Sequence, residues 1–228
     1  MKGLTVFVSV AMVLIFGIVL PAHATLVDMN DGTIYDTDTQ LSWLRDANIG
    51  LSLLHINPSG ETSWDSASTI VATLNDGGGF AGLTGWRLPS TTQPDASCDD
   101  QYDLGGGSPL YGYGYHCTGS ELGHLYYVAL GNPVGGPVTN PGPFVNILTD
   151  VYWSRTEANL SSAWGFNFDT GYQDIYGESI DYGIWPVRPG ARALPGSPVG
   201  YNPAWLAITL MSLIVAGGAL LRRKIARQ

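Results

Sequence analysis

The chain has 228 residues, 45% hydrophobic and 13% charged, with a formal net charge of −9 at pH 7. That is too apolar and too sparsely charged for a disordered chain, and its 30 Gly and 14 Pro follow no collagen-like period. The negative balance argues against nucleic acid as a partner, since phosphate binding needs a basic footprint, and the length allows one ordinary domain plus processing segments.

The charge is unevenly laid out along the chain. All 19 acidic residues fall between Asp28 and Asp181, and the stretch 25–192 holds five arginines and no lysine, a balance of −14. The other positive charges sit at the two ends.

Residues 1–24 read as a secretory signal peptide. Lys2 is the positive start, Leu4 to Leu20 is an uncharged apolar run, and Pro21-Ala22-His23-Ala24 places a small-residue cleavage site after Ala24. The body 25–192 follows. Thr33–Tyr35 and Leu41–Arg45 flank the polar stretch Asp36–Gln40, which predicts a β-hairpin. Thr62 to Asn75 predicts a helix, with a Thr62/Asp65 cap and Trp64, Ala67, Val71 and Leu74 at helical spacing. Trp86–Pro89 predicts a short extended segment. A second helix is expected from Ser120 to Leu130, with Thr118 and Glu121 as its capping box. Strands are expected at Val151–Arg155, Ser162–Phe168, Tyr172–Tyr176 and Gly183–Arg188.

Two helices packed on short antiparallel strands make an α+β domain. Trp43, Trp64, Trp86, Trp153, Trp164 and Trp185 fall one to each of six elements and are read as core. Arg87, Arg155 and Arg188, scarce cations among many carboxylates, are read as structural residues holding ion pairs or carbonyls.

An insert at 94–117 differs from the rest. It holds Asp95, Asp99, Asp100 and Asp103, then Gly105-Gly106-Gly107, then Tyr111, Tyr113 and Tyr115 spaced by glycines. Such a loop offers adaptable backbone and rigid amphipathic rings, the chemistry of a ligand-binding surface. Cys98 and Cys117 lie in the exported body, where an oxidising compartment favours a disulfide at the loop's base. Closing about 20 residues would stabilise the fold by about 3 kcal/mol. A zinc site would need more ligands than these cysteines and His116 provide.

After the body come a Pro/Gly linker at 193–203, an apolar stretch at 204–221, and a basic tail at 222–228 with Arg222, Arg223 and Lys224. The apolar stretch would span about 27 Å as a helix, close to a bilayer core of about 30 Å, with the basic cluster held on the cytoplasmic side. This end resembles the PEP-CTERM type of bacterial sorting signal. Leu194–Pro198 or Asn202-Pro203-Ala204 stands where that type carries Pro-Glu-Pro. The resemblance implies an exosortase-like membrane protease as a processing partner; without processing, the helix tethers the body to the membrane.

Five segments of the body carry a second resemblance: Asp31–Trp43, Gly85-Trp-Arg-Leu-Pro-Ser90, Tyr152-Trp-Ser154, Ala163–Phe168 and Trp185-Pro-Val-Arg188. In this order they resemble the Lcl C-terminal domain family, named for a collagen-like bacterial adhesin. The resemblance implies a C-type-lectin-like fold, an exported location at the cell envelope or surface, and adhesion or ligand binding. One departure concerns the family's Glu-Leu helix, which closely follows the Arg-Leu-Pro segment; here Glu121-Leu122 comes only after the insert. The fold resemblance reaches formylglycine-generating enzymes too, whose cysteine chemistry has no matching positions here.

Gln93-Pro94-Asp95 matches the galactose-type triplet of calcium-dependent lectins, in which Gln93 and Asp95 would bind sugar and ion together. Asp95, Asp99, Asp100 and Asp103 are hard oxygen ligands suited to calcium, and a solvated acidic loop is the alternative reading. There is no G-x-S-x-G, H-E-x-x-H or P-loop, and His55, His116 and His124 form no catalytic group, so no enzymatic activity is expected. The sequence therefore points to an exported, envelope-associated module that binds saccharide or extracellular matrix polymer through Tyr111, Tyr113 and Tyr115 with Gln93 and Asp95. A structural surface protein without a small ligand is the alternative.

Overall fold

The computed structural model describes residues 25–103 and 110–191. The expected signal peptide with its Ala24 site, the linker, the membrane helix and the basic tail lie outside the described residues. Among the described residues, no helix is long and apolar enough to cross a membrane.

The architecture mixes small antiparallel sheets with short helices. β1 (Leu26–Asp28), β2 (Thr33–Asp36) and β3 (Leu41–Leu44) form a meander, and β9 (Val187–Pro189) closes it in the order β1-β2-β3-β9. The β2–β3 hairpin is the one expected. Its turn is held by the fully buried Asp36, whose carboxylate accepts from Asp38 N at 2.9 Å and Thr39 Oγ1 at 2.7 Å. β9 is shorter than the predicted Gly183–Arg188 strand, because Pro186 has no N–H to give a ladder. Gly183 instead makes a single bridge to Tyr152.

A short helix, α1 (Ile49–Ser52), was not expected from the sequence; Asn48 caps it by accepting from Leu51 N at 3.3 Å. The first predicted helix forms as α2 (Trp64–Thr73), with Ser63 rather than Thr62 at the N-cap position and no side-chain capping bond. Thr62 is taken by a bridge to Tyr182, so the expected Thr62/Asp65 cap does not form. The second predicted helix is α3 (Glu121–Gly123), which widens into a π-helical turn over His124–Ala129. Its cap is Ser120, whose hydroxyl accepts from Gly123 N at 3.1 Å, not Thr118. The Glu121 carboxylate is engaged elsewhere, so the predicted capping box is absent.

β6 (Val151–Asn159), β7 (Ser162–Asn167) and β8 (Tyr172–Gly177) form the second sheet, with β6 running past the predicted end at Arg155. Burial follows the aromatic residues. Trp43, Trp86, Trp153 and Trp185 lie in one core with Tyr126, Tyr152, Phe166 and Phe168, while Trp64 packs at its edge and donates to Ser154 O at 2.7 Å. Aromatic rings meet edge to face there, as between Trp43 and Trp185 with centroids 5.7 Å apart. Trp164 is buried as well, yet it belongs to a different neighbourhood.

Candidate functional site

The described parts of the insert, on either side of residues 104–109, hold two paired strands that the local sequence pattern does not announce. β4 (Asp100–Tyr102) pairs antiparallel with β5 (Tyr111–Tyr113), with Asp100 opposite Tyr113 and Tyr102 opposite Tyr111. The Gly-x-Gly spacing explains the packing. Alternation along a strand sends Tyr111, Tyr113 and Tyr115 to one side, and buried Gly112 and Gly114 to the other. Gly112 approaches so closely that a Cβ there would collide with the Asp95 carbonyl.

A disulfide closes the base of this hairpin, and three sets of hydrogen bonds fasten it to the body. Cys98 and Cys117 form the expected disulfide. Gly114 and Gln173 exchange two backbone hydrogen bonds of 2.9 Å, so β5 extends the edge of β8. Gln93 uses its whole side-chain amide on Gly112, donating to its carbonyl at 2.9 Å and accepting from its N–H at 2.8 Å. Buried Gln173 donates to the same carbonyl at 3.2 Å.

Gln93 and Asp95 are thus placed differently from the lectin-triplet expectation. The carboxamide that would have faced a sugar is spent on backbone. Asp95 is only 4% exposed, and its carboxylate accepts from Ser97 N at 3.0 Å and from the Ser97 hydroxyl. The four aspartates do not converge either. Asp99 faces His116 Nδ1 at 2.9 Å, Asp100 sits on β4, and Asp95 points inward. Among the described residues, the one set of three potential ligands gathered within 4.8 Å is Asp95, Cys98 and Cys117. The two sulfurs in that set are bonded to each other. Among the described residues, no three of Asp95, Asp99, Asp100 and Asp103 bring carboxylate oxygens within 4.8 Å of one another.

The structure instead builds a cleft of about 200 Å³ between the hairpin and β7–β8. Tyr102, Tyr111 and Tyr113 come from the hairpin, Trp164 from β7, and Asp174 and Ile175 from β8. Tyr111 meets Trp164 edge-on at 5.9 Å. Two of the three predicted tyrosines therefore reach one site. The third, Tyr115, packs beside it on Tyr172 at 4.9 Å.

Tyr102, Trp164, Asp174 and Ile175 were missed. Tyr102 becomes legible once Asp100–Tyr102 is recognised as the partner of the Tyr-Gly-Tyr strand. Trp164 and Ile175 lie opposite each other in the β7–β8 register, a pairing no local pattern discloses.

Charge adjoins the aromatic walls. Tyr172 is held above the ordinary phenol range, by burial first and then by Asp174 and Asp100. Tyr176 is pushed up more strongly, again by burial first and Asp174 next. Asp174 lines the cleft, with its Oδ1 accepting from Ile175 N at 2.7 Å. Such a site can bind a ligand with an apolar face and hydroxyl groups at its edge.

A second concavity of about 290 Å³ lies between α2 and Trp86-Arg87-Leu88, with exposed Arg155 at its rim. Its polar groups are largely committed: Asn75 bonds both backbone groups of Trp86, and Arg87 bonds Glu121 at 2.7 Å. Among the described residues, His55 is exposed, His116 faces Asp99, and the mostly buried His124 lies 3.2 Å from Asp38 and 3.7 Å from Asp36.

A family model described as the Lcl C-terminal domain matches residues 32–188, which takes in β2 to β8 and the start of β9 but not β1. No curated protein matches the chain.

Proposed function

The chain belongs to the Lcl C-terminal domain family, and on that premise we propose that it is an exported, surface-held, C-type-lectin-like module that binds saccharide in the aromatic cleft. The carrying observation is the convergence of Tyr102, Tyr111, Tyr113 and Trp164 beside Asp174. Sugar rings present an apolar C–H face and a rim of hydroxyls. Aromatic rings can cover the first, and a carboxylate and phenols can bond the second. A body of −14 selects against polyanions, so a neutral or cationic glycan is the preferred class.

The function is binding without turnover. Calcium is no part of the site in this reading, because the cleft offers the single carboxylate Asp174 where that ion takes six to eight oxygens. The C-terminal apolar stretch holds the module at the envelope until an exosortase-like protease releases it.

A glycan array probed with the full chain, with and without Ca²⁺, tests the site. We expect saturable, calcium-independent binding that Asp174→Asn weakens about tenfold, near 1.4 kcal/mol. Calcium-dependent binding would contradict the metal-free site. Absence of saturable binding to any glycan would favour a structural surface protein.

A further inference from the structure

The tip of the β6–β7 hairpin reads Glu157-Ala158-Asn159-Leu160-Ser161. An asparagine followed two residues later by Ser or Thr, with any residue but Pro between, is the acceptor pattern for N-linked glycosylation. Asn159 is the only asparagine in the chain that satisfies it; Asn57 is followed by Pro58-Ser59, which bars the reaction. The bacterial form of the transfer also requires an acidic residue two positions before the asparagine, and Glu157 supplies it.

The fold puts this pattern where an enzyme can reach it. Glu157, Asn159, Leu160 and Ser161 are all exposed, and Leu160 is 97% exposed, against 45% or less for most other surface aliphatics. Asn159 Oδ1 accepts from Ser161 N at 3.1 Å and Ser161 Oγ at 3.3 Å, which brings the acceptor amide and the required hydroxyl together. Pairing is irregular here: the register shifts on both sides of the Glu157–Ala163 pair. A loosely paired tip can enter a transferase site without breaking the ladder that holds Trp153 and Phe166 in the core.

We propose that Asn159 is an N-glycosylation site, modified after export by an oligosaccharyltransferase using a lipid-diphosphate-linked oligosaccharide. Asn159 Nδ2 bonds to the anomeric carbon of the donor sugar. The carbon–oxygen bond to the diphosphate breaks, the lipid diphosphate leaves with the electron pair, and the amide loses one proton to the transferase. The inference rests on export of the body and is independent of the cleft.

The test is intact mass of the full chain produced with a bacterial oligosaccharyltransferase of this specificity and its lipid-linked donor. We expect the exported protein to gain the mass of one glycan. The gain should vanish in Asn159→Gln, Glu157→Gln and Ser161→Ala, and persist in Ser161→Thr, with the disulfide intact in every variant. Exported wild-type protein without the glycan, or a glycan that survives Asn159→Gln, overturns the proposal. The same mass reports whether residues 1–24 are removed; a chain that retains them overturns the export reading as well, so the two failures are told apart.

Discussion

Arg87 reaches across the start of the insert to grip Glu121 with two bonds of 2.7 Å, and the same carboxylate accepts from Ser90 N at 2.7 Å. Both side chains are less than a quarter exposed, so water weakens the pair little. Glu121→Gln keeps the shape and removes the charge; we expect it to cost about 2 kcal/mol in urea unfolding. An unchanged unfolding midpoint would contradict the role. The scarcity of cations among many carboxylates made a structural arginine legible at this position. Gln93 was not legible: its partner is the backbone of Gly112, which arrives only when the insert folds back.

A second expectation at this scale concerns pH. Burial, then Tyr127 and Asp169, push Tyr126 from 10.0 up to about 12. Tyr152 and Tyr176 are also pushed up, with burial the largest cause for each. A phenol with a raised folded value binds its proton more tightly when folded. Its contribution to stability is whole below 10 and is lost as pH climbs from 10 toward 12. Phenolate absorbance and circular dichroism should therefore show some tyrosines ionising only as the fold is lost. Ionisation of every tyrosine near 10 with the fold intact would contradict it.

Among the elements, the hairpin β4–β5 supplies Tyr102, Tyr111 and Tyr113 to the cleft, half of its lining residues. The ion pair of Arg87 and Glu121 explains how a long insert separates the Arg-Leu-Pro segment from the Glu-Leu helix without disturbing either. Residues 87 and 121 meet, and the chain between them leaves and returns. Local patterns disclosed the β2–β3 hairpin, α2 and the β7–β8 pair, since each has its apolar spacing and turn chemistry in one short run. They did not disclose β4 and β5, whose glycines argue against strand until the buried side is known, nor the π-helical turn, whose apolar spacing resembles an α-helix.

The disulfide that closes the hairpin's base also yields an expectation. Replacing both Cys98 and Cys117 by Ser should lower stability by about 3 kcal/mol through the lost loop closure. The domain should remain folded, because the main core lies elsewhere. Trp164, covered by Tyr111, should become more exposed, seen as a red shift in tryptophan emission. Global unfolding, or an unshifted spectrum, would contradict a separately fastened hairpin.

At the scale of the whole molecule, the net charge of −9 divides into basic ends and a body of −14. That body should repel sulfated polyanions at ranges up to a Debye length, about 8 Å at physiological salt. Heparin affinity measured without calcium should be weak; tight, salt-insensitive binding would contradict this. The charge division and the α+β class were legible from the sequence. The cleft was legible by half, since Tyr111 and Tyr113 announced themselves and their partners on β7 and β8 did not. The most direct test of the cleft is titration of a saccharide that binds the full chain against the Tyr111→Ala, Tyr113→Ala double variant with its disulfide intact. The account predicts a loss of affinity of at least about tenfold; unchanged affinity would contradict it.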